Sequence, residues 1–318
     1  MNKIGILTSG GDAPGMNAAI RSIVKSGINS HIKVIGIENG FEGLIDGQFI
    51  ELNSSSIKNI IQRGGTILKS ARSKRFLEKS YRKKAMDHLF NNEINGLIVL
   101  GGNGTFKGAS IFTKEFDFPI IGIPCTIDND LYGTDFSIGY DTAINTAVDA
   151  IDKIRDTAES HNRLFFIEVM GRDSGMIALT SGIAGGAEEI MIPETFFNIK
   201  QLVGKLKDLK NRDNSSIIVV VAEGDEEGGA FKISEQVKKD LPDFDIRTTT
   251  LGHIQRGGKP TCMDRVLACQ LGSAAVEALL EGKRNLMVGV VNQKIKLTDF
   301  SLSIVRKRKI NSELLKFL

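Results

Sequence analysis

Cysteine is scarce in this 318-residue chain, and the three present, Cys125, Cys262 and Cys269, have neither an even count nor metal-ligand spacing. That excludes a disulfide framework and a zinc site from the expected fold, and reduced thiols suit a cytoplasmic protein. No apolar stretch approaches the roughly 18 residues a membrane span needs. From Met1 the chain runs directly into Lys3-Ile4-Gly5-Ile6-Leu7, which lacks the length of a secretory apolar region and a small-residue cleavage site. The expected location is therefore the cytoplasm, with no membrane partner. No block of five like charges occurs, and a formal net charge of +3 is spread too thinly to make a nucleic-acid surface. The longest basic run, Arg306-Lys307-Arg308-Lys309, reads as the solvated start of a helix. Tryptophan is absent, which bears on no function, and there is neither a solenoid period nor a low-complexity segment.

What the chain does have is the balance of a globular protein, 41% hydrophobic and 25% charged, with length for two ordinary domains. Short runs rich in Ile and Val recur at Ile4–Leu7, Val34–Ile37, Leu97–Leu100, Ile120–Ile123, Leu164–Val169, Ile217–Val221 and Met287–Val291. Their continuous apolarity suits strands buried on both faces, and the amphipathic segments between them suit right-handed crossovers of parallel sheets. The expected fold class is α/β. Helices are expected from Pro14 to about Lys25, Asp141 to about Thr157, Gln201 to about Leu209 and Asp264 to about Leu280. Asp12 is expected to cap the first, with Pro14 in its opening turn.

Glycine pairs punctuate the chain, and two of them, Gly10-Gly11 and Gly101-Gly102, fall where a strand ends and a helix begins. Open α/β sheets bind ligands at such positions, because backbone amides and the helix dipole point into the crevice beyond the strand ends. The segments Thr8 to Asn17 and Gly101-Gly102-Asn103-Gly104-Thr105 offer backbone N–H groups with few side chains in the way, as a polyphosphate requires. Neither is a Walker A loop or a dinucleotide fingerprint. A third segment, Gly64-Gly65-Thr66 followed by Ser70-Ala71-Arg72, sets a guanidinium after another tight turn.

The most informative segment is Pro124-Cys125-Thr126-Ile127-Asp128-Asn129-Asp130, at the end of an apolar run. Two carboxylates two residues apart can divide the labour, one accepting a substrate proton and one facing a hard cation such as magnesium. Asp and Asn also serve turns and caps, which is the competing structural reading. Further along, Arg163 precedes one strand, Met170-Gly171-Arg172-Asp173-Ser174-Gly175 follows it, Glu223 follows another, and Arg247 precedes Leu251-Gly252-His253-Ile254-Gln255-Arg256-Gly257-Gly258. Four arginines and a histidine near strand ends suit a phosphate dianion, since guanidinium forks bind phosphate oxygens in pairs. An adjacent glutamate suits sugar hydroxyls. His253 alone would equally fit a packed, backbone-bonded histidine.

Taken together, these segments resemble the phosphofructokinase family, in register from Lys3 to about Gly282. Gly10 to Arg21, Thr126 to Asp130, Met170 to Arg172 and Leu251 to Gly258 carry the match. The resemblance implies two similar domains, each a mostly parallel sheet flanked by helices. A nucleotide-binding domain would span 1–139 plus 256–305, and a sugar-phosphate-binding domain 140–255 plus 306–318. It also implies an ATP-dependent, magnesium-requiring 6-phosphofructokinase of glycolysis, acting on fructose 6-phosphate as a homotetramer with active sites shared between subunits. Asp128 is then the general base, with Thr126 and Arg172 stabilising the transferring phosphoryl group. Thr126, Ile127, Asp128, Arg163, Met170, Gly171, Arg172, Glu223, Arg247, His253, Ile254, Gln255 and Arg256 match the sugar-phosphate positions, Arg163 and Arg247 reaching in from a neighbouring subunit. Gly11, Arg72, Ser73, Gly102, Asn103, Gly104 and Thr105 match the nucleotide site, and Asn103 and Asp130 the metal site.

Three departures from the family pattern stand out. Asn103 replaces an aspartate, removing a charge from the magnesium site. Cys125 occupies a position that is glycine in ATP users and lysine in pyrophosphate users, whereas Gly104 agrees with ATP users. Pyrophosphate is therefore the alternative donor. At the position of the family's effector site, Arg21, Arg155, Glu188 and Arg212 are kept, but Lys25 replaces an arginine, and Ser54, Ser55 and Asn214 replace Arg, Tyr and Lys. Weak or altered allostery is expected. The loss at Asn103 also motivates a reading from another class, a catalytically weak regulatory or binding subunit.

Overall fold

The computed structural model describes residues 1–196, 198–211, 216–224 and 229–317. The chain opens with β1 (Lys3–Thr8), α1 (Met16–Asn29), β2 (Lys33–Ile37), α2 (Gly40–Asp46), β3 (Phe49–Leu52), α3 (Lys79–Asn91), β4 (Gly96–Gly101), α4 (Asn103–Phe116), β5 (Ile120–Pro124) and α5 (Tyr140–His161). It continues through β6 (Leu164–Val169), α6 (Met176–Ala184), β7 (Glu189–Met191), α7 (Ile199–Asn211), β8 (Ile217–Ala222), α8 (Gly229–Asp240) and β9 (Ile246–Thr250). It closes with α9 (Cys262–Leu280), β10 (Leu286–Val291), β11 (Lys294–Asp299) and α10 (Phe300–Val305). The backbone forms two compact units, 1–142 with 256–308, and 143–255 with 309–318.

In the first unit a seven-stranded sheet has the order β11-β10-β5-β4-β1-β2-β3. Only the two edge pairs, β2–β3 and β10–β11, are antiparallel. β1, β4 and β5 are buried nearly throughout, as strands covered on both faces must be. In the second unit the order is β7-β8-β6-β9, and every pairing is parallel. All seven expected strands form. Four others escape a search for apolar runs. β3 and β11 are half-polar edges, β7 is three residues long, and β9 (Ile-Arg-Thr-Thr-Thr) is an exposed edge with one aliphatic residue.

Two expectations about helix starts are corrected. Asp12 does not cap α1. Gly15 holds the N-cap position in a left-handed backbone (φ 112°) without a side-chain cap, and Pro14 lies in the preceding turn, closed by Met16 N–H to Ala13 O at 3.2 Å. The basic run at 306–309 does not open a helix. Arg306 follows the end of α10, and Lys307 forms an isolated antiparallel bridge with Leu131. No helix among the described residues is long and apolar enough to cross a membrane.

The first unit's core is rich in phenylalanine. Phe76 stacks on Phe41 at 4.0 Å between centroids and on Phe112 at 5.8 Å, and Phe106 stacks on Phe300 at 5.3 Å. At the margin of this cluster the buried Arg82 donates from Nε and Nη2 to Glu115, both at 2.7 Å, and from Nη1 to Phe76 O at 2.7 Å. The Arg82 hydrogen bond holds the Glu115 carboxyl below the ordinary glutamate range. Because the native carboxyl titrates below its unfolded value, this stabilisation is complete above that range and is lost as pH falls through the native value. Glu115→Gln leaves a buried guanidinium short of its counter-charge. At neutral pH it should cost about 2 kcal/mol, less than a fully buried pair because Glu115 is partly exposed. Denaturant unfolding should show that deficit shrinking toward strongly acidic pH.

Candidate active site

The first sheet reverses its order at β1. The chain lays β2 and β3 to one side and then returns to place β4 on the other. The carboxyl ends of β1 and β4 therefore flank a switch-point crevice, the standard ligand position in such sheets. Three segments meet there. Ser9 N–H donates to Leu100 O at 3.0 Å, Thr105 Oγ1 to Ser9 O at 3.0 Å, and Ser70 Oγ to Gly10 O at 2.7 Å. A Cβ on Gly101 would overlap both Thr105 Oγ1 and Ser9 O, so this close approach requires glycine.

The expected loop Gly102 to Thr105 is in fact the N-cap and first turn of α4. Its leading N–H groups and the positive end of the helix dipole suit an anion. Asn103 and Gly104 are exposed, and a Cβ on Gly104 would meet nothing within 4 Å. Thr105 is turned inward by its bond to Ser9. Arg72 is exposed beside this crevice, one residue after Ala71, whose carbonyl accepts from Gly10 N–H at 3.4 Å. Ser73 Oγ accepts from Phe76 N–H at 3.0 Å and so shapes the turn after it. Arg256 lies against the Gly11 loop. Its Nη1 donates to Asp12 O at 3.3 Å and would stand 2.8 Å from a Cβ on Gly11.

The acidic segment leaves β5 next to this crevice, and Thr126 Cβ would be 3.5 Å from a Cβ on Gly102. Thr126 Oγ1 accepts from Asp128 N–H at 3.2 Å, forming a tight turn in which Asp128 is buried and Asp130 half-buried. Asn129 between them is a staple. Buried in the left-handed region (φ 50°), its Oδ1 accepts from Ser137 N–H at 2.9 Å, and its Nδ2 donates to Asp135 O at 3.3 Å. Arg308 N–H donates to Asp130 O at 3.0 Å, so the basic run serves this loop. Ile127 is wholly buried, leaving only its backbone for a ligand. Among the described residues no group of three His, Cys, Asp or Glu could hold a metal. Magnesium is usually held by one or two carboxylates plus substrate phosphates, so the donor set of Asp130 and Asn103 fits a metal that arrives with a nucleotide.

One residue of this region escaped the sequence reading. Asp264, buried in the first turn of α9, accepts from Gly139 N–H at 2.8 Å, Thr142 N–H at 2.8 Å and Thr142 Oγ1 at 2.5 Å. Its own N–H donates to the N-cap Thr261 at 3.2 Å. Thr261-Cys262-Met263-Asp264 is a capping-box pattern, the signal that could have revealed it. Burial pushes its carboxyl up, opposed by the bonds from Thr142 and Gly139. Cys125 lies within its field. Burial pushes that thiol well above its ordinary value, with the negative Asp264 adding to the shift. The Cys125 side chain is thus core, 1% exposed.

The second sheet has its own switch point. β8 and β7 lie to one side of β6 and β9 to the other, so the loops after β6 and β9 share the carboxyl end. Met170 N–H donates to Gln255 Oε1 at 2.9 Å, and Gln255 is fully buried. Arg172 is held in the left-handed region (φ 54°), a conformation that costs a non-glycine residue on the order of 1–2 kcal/mol. Glu223 Oε1 offsets this by accepting from Arg172 N–H at 2.9 Å and Gly171 N–H at 3.4 Å. A Cβ on Gly224 would overlap Arg172 O. His253 and Ile254 are exposed on the single 3-10 turn Gly252–Arg256.

Arg163 and Arg247 lie elsewhere in this unit. Arg163 immediately precedes β6 while Met170 immediately follows it, a separation of roughly 20 Å at the usual strand rise. Arg247 pairs in register with Phe165, also toward the amino end. The structure does not bring these two arginines to Arg172.

Of the remaining predicted residues, Arg21 and Lys25 on α1 line a cavity of about 440 Å³ with Ser54, Lys58 and Asn59. Arg155 is occupied within the second unit. It pairs with Glu188 at 3.3 Å and donates to Gly185 O at 2.9 Å and Gly186 O at 2.6 Å. Arg212 and Asn214 lie outside the described residues.

These features describe a doubly wound α/β protein with an anion-receptive helix start at the switch point of its first sheet. The chain belongs to the phosphofructokinase family, whose profile matches residues 3–279. A protein of Cytophaga hutchinsonii named ATP-dependent 6-phosphofructokinase is 53% identical over 99% of this chain and 96% of its own length. ATP-dependent 6-phosphofructokinase 1 of Thermus thermophilus is 51% identical over 99% of this chain and 98% of its own. The crystal structure of Pichia pastoris phosphofructokinase superposes with a TM-score of 0.88 at 35% identity, covering 95% of this chain and 35% of the Pichia chain.

The burial of Cys125 has a direct consequence. In the folded protein it should resist alkylation by iodoacetamide and become labelled once the chain is unfolded. Peptide mass spectrometry of native and denatured samples checks this, and native labelling of Cys125 as fast as a free thiol would contradict the buried placement.

Proposed function

We infer that the chain is an ATP-dependent 6-phosphofructokinase, transferring the γ-phosphoryl group of ATP to the 1-hydroxyl of fructose 6-phosphate to give fructose 1,6-bisphosphate and ADP. The observation that carries the reading is the Thr126–Asp130 turn, two carboxylates braced at the carboxyl end of β5 beside the helix N-terminus of α4. The names of relatives matched over nearly the whole chain support ATP as donor. The inward, buried side chain of Cys125 also supports this, since it places no cation at that position.

In this reading the first unit binds nucleotide and the second the sugar phosphate. Gly11, Arg72, Ser73 and the α4 turn Gly102 to Thr105 receive ATP. Asp128 accepts the proton of the 1-hydroxyl, and Thr126 and Arg172 stabilise the transferring phosphoryl group. Catalysis then consists of alignment and charge neutralisation, as suits phosphoryl transfer through a loose transition state. Asp130 and the Asn103 amide oxygen would hold magnesium, which when bound would neutralise charge on the phosphates. Met170, Gly171, Glu223, His253, Ile254, Gln255 and Arg256 form the sugar-phosphate set, with Ile127 contributing backbone alone. Arg163 and Arg247, at the opposite strand end from Arg172, serve the site of a neighbouring subunit. This is why the enzyme is an oligomer, in the family pattern a homotetramer.

A donor-by-acceptor activity matrix tests the assignment. Turnover should require ATP and fructose 6-phosphate, and activity confined to pyrophosphate would overturn the donor. Asp128→Ser should lower kcat by about three orders of magnitude with sugar-phosphate binding retained, as for a group acting chiefly in the transition state. Near-normal turnover would remove Asp128 from the role of base. Magnesium titration in the same assay should show Asn103→Asp reaching half-maximal rate at lower metal concentration.

Allosteric control is weak in this reading. The cavity at Arg21 and Lys25 has Ser54 where regulated members carry an arginine, although Lys58 also lines it, and Arg155 is neutralised by Glu188. The fructose 6-phosphate saturation curve should be close to hyperbolic and little changed by ADP or phosphoenolpyruvate. A strongly sigmoidal curve relieved by ADP would refute this.

A further inference from the structure

Arg163 and Arg247 share a third residue, Asp245, that no part of the proposed site uses. The parallel register Leu164↔Ile246 sets Arg163 beside Asp245, and Leu164 N–H donates to Asp245 O at 3.2 Å. Strand alternation puts Arg247 on the same face as Asp245. Asp245 Oδ2 accepts from Arg163 Nε at 2.6 Å, and the Asp245 oxygens lie 3.0 and 3.4 Å from Arg247 Nη2. One carboxylate thus engages the Nε edge of one guanidinium and a single corner of the other.

This triad does little for the stability of the fold. Arg247 is 53% and Asp245 42% exposed, and exposed ion pairs contribute little. Its chemical effect is on orientation. Two guanidiniums side by side repel, and a carboxylate between them removes that repulsion while fixing both planes. Bidentate phosphate binding uses an edge of each guanidinium, and the contacts to Asp245 take only Nε of Arg163 and Nη2 of Arg247. The hydrogen bond from Arg163, with Arg247 and His161 adding their charge, keeps the Asp245 carboxyl below the ordinary aspartate range and hence ionised.

We propose that Asp245 is a positioning residue that braces Arg163 and Arg247 as a two-pronged receptor for the phosphate of the sugar substrate. The proposal rests on the reading that these arginines bind that phosphate, and the test separates the two. Asp245→Ala should raise KM for fructose 6-phosphate roughly tenfold, as for loss of orienting charge-assisted bonds, with kcat and KM for ATP within about twofold of wild type. Asp245→Glu should restore most of the affinity, and Asp245→Asn, nearly identical in shape, guards against a folding defect in the alanine variant. Arg163→Ser and Arg247→Ser are the controls. Combining Asp245→Ala with Arg247→Ser should give less than the product of the separate effects, as expected of contacting groups. If the arginine variants raise KM while Asp245→Ala leaves it unchanged or lowers it, the brace is overturned and the receptor stands. Should the arginine variants leave KM unchanged, the receptor fails and the brace with it.

Discussion

Burying a carboxylate costs several kcal/mol unless donors meet it, and the buried carboxylate of Asp264 is met by three from the start of α5. Those bonds fix more than one helix end. Asp264 sits in the first turn of α9, and its Cβ would lie 3.7 Å from a Cβ placed on Gly15, at the close of the β1–α1 loop. Ile138, just before Gly139, bridges to Cys125, the residue preceding Thr126. The β1–α1 loop, the acidic turn and the openings of α5 and α9 are thus referred to one charge, which tolerates little displacement because any shift would leave it unsatisfied.

The rest of the acidic turn follows the same economy. Asn129 spends its amide on Ser137 and Asp135, and Arg308 contributes its backbone to Asp130. The peptide that carries the flanking carboxylates is thereby fixed. The second unit uses a comparable device, Glu223 holding Arg172 in a backbone conformation it would otherwise avoid. In both units hydrogen bonds fix the peptide that carries a candidate site residue.

Much of this was legible in the sequence, for identifiable reasons. Strands such as Leu97–Leu100 and Ile217–Val221 announce themselves because parallel strands covered on both faces must be apolar throughout, and their carboxyl ends locate the loops that carry Asn103, Asp128, Arg172 and Glu223. Edge strands such as β9 were not legible. Solvent on one side frees their composition, and Thr248, Thr249 and Thr250 carry no apolar signal. Asp12 appeared to be a cap because aspartate before a proline usually is one, but the left-handed Gly15 starts the helix later. Asp264 was hidden for the opposite reason. Its partners, two backbone N–H groups and the Thr142 hydroxyl, lie more than a hundred residues earlier, and the local Thr261–Asp264 pattern marks only the helix start, not that long-range contact.

The two arginines at the amino end of the second sheet have a genetic consequence. If each active site takes Asp128 and Arg172 from one chain and Arg163 and Arg247 from a neighbour, then a chain lacking Asp128 and a chain lacking Arg163 carry defects in different halves of a composite site. Assembled together, such chains form some sites from two intact halves, so two inactive alleles can complement each other within one oligomer.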